Sequence, residues 1–96
     1  MERKKSERLG AVMAQYLAQS GLQSQLNEYR VVQAWEKVAG HTVALRTKDV
    51  GIRNGKLHVR ITSAAMRADL MMRRTELVRR LNAEAGAQVI TDIAFQ

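Results

Sequence analysis

The dipeptide Asn54-Gly55 constrains this chain more than any other feature, because it lies between two runs of alternating apolar and polar residues. Both residues of a tight two-residue turn take positive φ angles, which Asn and Gly accept readily, so the dipeptide predicts a β-hairpin. Such a turn pairs Arg53 with Lys56, and this pair fixes which residues lie opposite each other farther along the two strands. A shift of one residue would exchange the two faces, so the alternation specifies the register.

The two faces of the predicted hairpin differ in character. One is apolar and carries Val50, Ile52, Leu57, Val59 and Ile61. The other is basic and carries Arg53, Lys56, His58, Arg60 and Thr62. Five Lys and Arg residues and one Asp give residues 41–62 a net charge of +4, more than half of the total of +7. We therefore expect the apolar face to be buried and the basic face to bind a polyanion.

The composition limits the class of protein. Ninety-six residues suffice for one domain with a modest core, and the net charge of +7 favours a polyanion partner over a merely solvated surface. There is no cysteine, and the two histidines are far apart in the sequence, so neither a disulfide nor a metal site is predicted. No apolar run has the length of a signal segment or a membrane span, so we expect a cytoplasmic protein without a membrane partner.

Apolar residues at helical spacing predict three helices. These cover residues 6–20, which Gly21 closes, residues 23–39, which Gly40 closes, and residues 63–85, with Ser63 as N-cap and Gly86 behind. Residues 1–5 are predicted to be a disordered basic arm, so that a single domain covers residues 6–96. Trp35, the only tryptophan, is expected in the core, where its indole N–H needs a partner.

The remaining segments predict strands. The last nine residues are alternating and β-branched, which favours a third strand with Val89, Thr91, Ile93 and Phe95 on one side. In the first strand, Val43 and Leu45 are out of phase with Val50 and Ile52, which predicts an irregularity between Arg46 and Asp49. A strand–helix–strand crossover returns parallel. The order α-α-β-β-α-β thus predicts an α+β domain, with helices on one face of a three-stranded mixed sheet.

No constellation typical of catalysis is present. The sequence contains no phosphate-binding loop of the G-x-x-x-x-G-K-[ST] type and no cysteine nucleophile. The serines have no histidine at motif spacing, and the carboxylates are scattered among arginines. We therefore expect a binding module without catalytic residues, cofactor, metal or small-molecule substrate.

Three blocks of the sequence, in order and spacing, resemble the DciA family. They are LGAVMAQYLAQSGL followed by VVQAWEKVAG, the HT after that glycine with the strand GKLHVRI, and SAAMRADLMMRRTELVRRLN followed by VITDIAF. The resemblance extends from about Leu9 to Phe95. Members of the family are bacterial partners of the replicative helicase DnaB, implicated in loading it onto DNA, so the resemblance implies a replicative helicase as partner.

The resemblance also implies a small KH-like fold and a set of structural positions. These are the pair Trp35 and Gly40, the strand residues Leu57 and Val59, and the helix residues Leu70, Leu81 and Asn82. The G-x-x-G loop of nucleic-acid-binding KH domains is missing, so the likeness implies a fold and not that mode of DNA binding.

Together these arguments predict a non-enzymatic DNA-replication accessory protein that binds the replicative helicase and single-stranded or forked DNA. The candidate nucleic-acid-binding residues are Lys48, Arg53, Lys56, His58 and Arg60, and the candidate partner-binding residues are Met72 and Arg79. No stacking aromatic lies among the hairpin cations, so base stacking is not predicted. Two alternatives stay open: a KH-like RNA-binding protein and a pure protein-interaction domain.

Overall fold

The computed structural model describes residues 21–96. In chain order these form α1 Leu22–Ala39, α2 His41–Leu45, β1 Thr47–Arg53, β2 Lys56–Ile61, α3 Ala64–Met72, α4 Arg74–Ala85 and β3 Asp92–Phe95. The predicted basic arm and the helix predicted over residues 6–20 lie outside the described residues.

The hairpin forms as the turn chemistry predicts. Asn54 and Gly55 both have positive φ angles, 54° and 72°, and Arg53 pairs with Lys56. β1 and β2 are antiparallel, and β3 pairs with the other edge of β2 in parallel, from Lys56 with Asp92 to Val59 with Phe95. The result is a mixed sheet of order β1-β2-β3.

One face of this sheet is buried under the helices. Leu57, Val59 and Ile61 of β2 are each no more than 1% exposed and pack into one core with buried residues of α1 and α4. The predicted α+β class, with helices against a three-stranded mixed sheet, is therefore confirmed. The KH likeness stays a prediction.

The segment before β1 is helical, so the prediction of an early strand was wrong. Gly40, with a φ of 102°, ends α1, and the amide of Ala44 then donates to the Gly40 carbonyl. In the resulting short helix only Val43 is buried, and Leu45 is exposed. The irregularity itself is confirmed: the register of β1 shifts between Thr47 and Asp49.

The helix predicted over residues 63–85 is divided in two. Ser63 caps it as predicted, accepting a hydrogen bond from the Met66 amide, and Gly86 follows its end with a φ of 73°. At Arg73, however, φ and ψ are −103° and 9°, and the helix starts again at Arg74. α3 packs against the sheet, whereas α4 packs mainly along α1. The bend therefore lets α3 bury Leu70 and α4 bury Leu77 and Leu81.

The side chain of Asn82 holds the segment that enters β3. Its Nδ2 donates to the Ile90 carbonyl at 2.8 Å, and its Oδ1 accepts from the amides of Val89 and Ile90, each at 3.0 Å. These residues therefore pair with a side chain rather than with β2, and the strand begins only at Asp92. Ile90 is fully buried whereas Thr91 is exposed, so the alternation predicted for residues 89–95 holds for Ile93 and Phe95 but is broken before them.

Trp35 is buried, with 3% of its surface exposed, and its indole N–H is satisfied. It donates to Thr47 Oγ1 at 3.1 Å, and the Thr47 hydroxyl in turn donates to the Val43 carbonyl at 2.8 Å. The indole also packs against Phe95, with ring centroids 6.2 Å apart. This hydrogen-bonded chain joins α1, α2 and β1 at the position where the register of β1 shifts.

We predict that Asn82→Ala lowers the free energy of unfolding by about 2 kcal/mol or more, because it leaves two amides and a carbonyl without their partner. Urea denaturation measures the loss. The control is Gln88→Ala, since Gln88 is exposed in the same loop. A loss for Asn82→Ala no larger than for the control would contradict this role.

We also predict that Thr47→Val lowers the free energy of unfolding by about 1–3 kcal/mol, because it keeps the shape of the side chain but leaves the buried indole N–H unpaired. Thr47→Ser keeps the hydroxyl and serves as the control. Since Trp35 is the only tryptophan, its fluorescence reports the site directly. Equal stability of the two variants, or wild-type emission typical of exposed indole, would refute the prediction.

Candidate nucleic-acid interface

The face of the sheet opposite the core is an ordered array of nine residues, three along the line of each strand. β1 contributes Asp49, Gly51 and Arg53, β2 contributes Arg60, His58 and Lys56, and β3 with the residue after it contributes Gln96, Ala94 and Asp92. Gln96 belongs to this array because of its backbone hydrogen bonds. Its backbone N–H donates to the Val59 carbonyl and its backbone carbonyl accepts from the Ile61 N–H, which places Gln96 beside Arg60. Three rows therefore run across the strands.

The middle row is low, because Gly51 and Ala94 flank His58. Gly51 has no side chain, and a Cβ added to it would meet no atom within 4 Å. A concavity of about 430 Å³ lies there, lined by Asp49, Gly51, Ile52, Arg53, His58, Arg60 and Gln96. Gly51 and His58 thus form the floor of a depression, with Arg53 on one side and Asp49, Arg60 and Gln96 on the other.

The cations of this face differ in how far they are neutralised. Arg53 and Arg60 are exposed, and neither forms an ion pair with any residue in the range 21–96. The Lys56 ammonium, in contrast, lies 3.7 Å from Asp92 Oδ2, and Arg74 Nε lies 3.1 Å from Asp92 Oδ1. The two arginines are therefore the cations of this face most available to an external anion.

His58 is oriented by Gln96. The Gln96 amide nitrogen lies 3.3 Å from His58 Nδ1. An amide nitrogen is only a donor, so in the neutral ring Nδ1 accepts and Nε2 carries the proton. The imidazole is half-buried, and its position beside Gly51 leaves one side of the ring toward the concavity.

The structure brings together three of the five candidate nucleic-acid-binding residues, since Arg53, His58 and Arg60 all line the concavity. Lys56 lies directly across from Arg53, and Lys48 lies in the irregular part of β1, exposed and outside the concavity. The site also includes Asp49 and Gln96, which were not among the candidates. The hairpin register would have found Asp49, whereas Gln96 required the pairing of β3.

The two candidate partner-binding residues lie on opposite sides of the helix break at Arg73. Met72 ends α3 with 88% of its surface exposed, and Met71 beside it is also exposed. Arg79 lies in α4 and pairs with Glu76; their hydrogen bond lowers the pKa of the Glu76 carboxyl and raises the pKa of Arg79. Because the helix divides at Arg73, Met72 and Arg79 do not lie on one regular helix.

Two other kinds of site are absent from the part of the chain that the structure describes. Between residues 21 and 96, no three His, Asp or Glu side chains lie together as metal ligands would. No helix in that range is long and apolar enough to cross a membrane.

Comparison with known families now gives the identification. The profile of the family described as "Dna[CI] antecedent, DciA" matches residues 8–95. The chain belongs to the DciA family. This confirms the resemblance carried by the three sequence blocks. A UPF0232 protein of Mycolicibacterium paratuberculosis is 29% identical over 85 residues, which make up 88% of this chain and 47% of that relative. The chain thus spans about half the length of the curated DciA-family relative it matches.

The positions that the DciA resemblance marked as structural are buried or have a backbone conformation that favours glycine. Trp35, Leu57, Val59, Leu70 and Leu81 are all buried, and Gly40 has its φ of 102° at the end of α1. None of them lines the concavity. The residues that carry the resemblance therefore lie mainly in the core and not on the basic face.

Proposed function

We propose that this DciA-family protein is a DNA-replication accessory protein of the bacterial cytoplasm that binds the replicative DNA helicase and DNA and assists helicase loading. It acts by binding rather than by catalysis. Membership of the family supports the role in replication. The observation that supports DNA contact is the pair of arginines, Arg53 and Arg60, beside the concavity of the open sheet face.

The geometry of this face favours the sugar–phosphate backbone as the main source of affinity. Arg53 and Arg60 lie on neighbouring strands, and the four-residue step from Lys56 to Arg60 separates their rows by about 13 Å. Two guanidinium groups at that spacing can neutralise phosphates of one strand. Such contacts carry no sequence information, so binding should be weak, independent of sequence and sensitive to salt.

The helicase would bind elsewhere, at the exposed end of α3. Methionine is enriched where proteins meet. Met72, which is 88% exposed, and Met71, which is 46% exposed, lie next to each other at the bend before α4. Arg79 is a second candidate contact, which its ion pair with Glu76 holds on the α4 surface.

We predict that Arg53→Gln with Arg60→Gln weakens binding to a labelled single-stranded oligonucleotide and makes the plot of log K against log salt concentration less steep. The slope should fall by about 0.7 for each phosphate that the variant no longer neutralises. The matched control, Lys37→Gln with Arg79→Gln, removes the same charge from helix cations that pair with Glu84 and Glu76. Fluorescence anisotropy at several salt concentrations measures both. An equal loss of affinity in the control, or a wild-type affinity that does not depend on salt, would contradict the proposed interface.

We predict that Met72→Asp abolishes capture of purified replicative helicase and leaves DNA binding intact, because it places a charge in an apolar contact. Ala83→Asp adds the same charge at an exposed position of α4 and serves as the control. Arg79→Glu is tested separately, since the bend at Arg73 divides the two positions. If Met72→Asp and the double arginine variant each lose both activities, one surface serves both partners and the two-surface proposal is wrong.

The same titrations distinguish the alternatives. Tighter binding to RNA than to single-stranded DNA of the same sequence would favour an RNA-binding protein. Helicase capture with no nucleic-acid binding at low salt would favour a pure protein-interaction domain.

A further inference from the structure

We propose that the concavity over Gly51 holds one unstacked nucleobase of a single nucleic-acid strand, with the His58 imidazole as its stacking platform. This inference rests on the proposed function and deepens it, since it assigns a base contact to a face that the sequence suggested would touch only the backbone. It also reverses the expectation that base stacking plays no part.

The shape of the open face is suited to binding a flat ring. In the middle row, His58 lies between Gly51 and Ala94, which have no side chain and a single methyl group, and it lines the concavity beside Gly51. The rows on each side lie two residues away along the strands, about 7 Å. A concavity of about 430 Å³ is within the range of small-molecule sites. The opening is therefore wide enough for a heterocycle to lie flat on the sheet.

The platform itself is held in place. Of the nine outward residues, His58 carries the only aromatic ring, and histidine is one of the side chains on which unstacked bases are bound. Its Nδ1 is occupied by the Gln96 amide at 3.3 Å, which limits rotation of the ring. An oriented, half-buried ring loses little freedom when a base stacks on it.

The groups around the ring favour a neutral heterocycle over a free anion. Asp49 and Gln96 line the concavity together with Arg53 and Arg60. A carboxylate repels a phosphate placed beside it, whereas a base edge has both donors and acceptors and can use mixed partners. The arrangement therefore suits a base in the concavity, with the neighbouring phosphates bound by Arg53 on one side of it and Arg60 on the other.

This arrangement also predicts the form of nucleic acid that is preferred. A base in a duplex is paired and stacked on both sides, and extruding it carries a free-energy cost. A base in a single strand is available without that cost. The site therefore favours single strands over duplexes, although the arginines alone would contact the phosphates of either.

The experiment compares two probes of equal length and charge, an oligothymidylate and an oligomer of abasic sugar phosphates. Anisotropy is measured at about pH 8, at which an ordinary imidazole is uncharged. His58→Ala should weaken binding to oligothymidylate about 5- to 100-fold, as expected for the loss of one stacked base. It should not change binding to the abasic probe or the salt slope, because no cation is removed.

Three further variants make the test specific. His58→Phe keeps a ring and should bind oligothymidylate within about threefold of wild type. Gly51→Val fills the floor of the concavity at a position where Gly51 does not need a positive φ, so the strand tolerates it, and it should weaken binding as His58→Ala does. His41→Ala removes the other histidine, which is exposed on α2, and should bind as wild type.

Several outcomes would overturn the inference. It fails if His58→Ala binds oligothymidylate as wild type does, or if the wild type binds both probes equally. It also fails if His58→Phe is as weak as His58→Ala, since the ring would then act as a hydrogen-bond donor and not as a platform. In these cases salt-dependent binding to DNA would still support the proposed function. No DNA binding by the wild type at low salt would overturn both.

Discussion

The pairing of β2 with a strand on each side is the constraint on which the rest of the structure depends. β2 is antiparallel to β1 and parallel to β3, so all its backbone groups are engaged along the paired length. Its inward residues, Leu57, Val59 and Ile61, form the centre of the core, and its outward residues form the middle of the basic face. One six-residue strand therefore supplies both the packing that stabilises the domain and the residues that face a ligand.

The charge of the domain is not spread evenly over its surface. On the helices, several cations lie beside carboxylates, as in the pairs Lys37–Glu84, Arg73–Asp69 and Arg79–Glu76. Exposed pairs of this kind contribute little to stability, but they weaken the local field. On the sheet, Arg53 and Arg60 have no such partner among residues 21–96. Arg30 and Arg80 of the helices also lack an ion pair in this range, but the sheet brings two unpaired arginines to one face.

The limits of prediction from the sequence follow from the range of the interactions. The hairpin and its faces were predictable because the Asn54-Gly55 turn is local and sets the register by itself. The contribution of Gln96 was not, because no turn sets the register of a parallel pair. The bend at Arg73 contains neither Gly nor Pro, so it reflects packing and left no local signal. Two apolar residues in alternation, Val43 and Leu45, suit one turn of helix as well as a short strand.

The hydrogen bonds of Asn82 have a consequence beyond the loop that they hold. A strand that slides by two residues keeps the same alternate residues on each face, so alternation alone does not fix the register of β3. By binding Val89 and Ile90, Asn82 fixes where β3 starts and so determines that Ala94 is the neighbour of His58. After a two-residue slip, the longer side chain of Asp92 or Gln96 would lie beside His58 in place of Ala94. The side-chain amide of Asn82, in a helix behind the sheet, thus determines which residues lie side by side on the opposite surface. A substitution at this buried position would therefore change the shape of the binding surface without changing any residue on it.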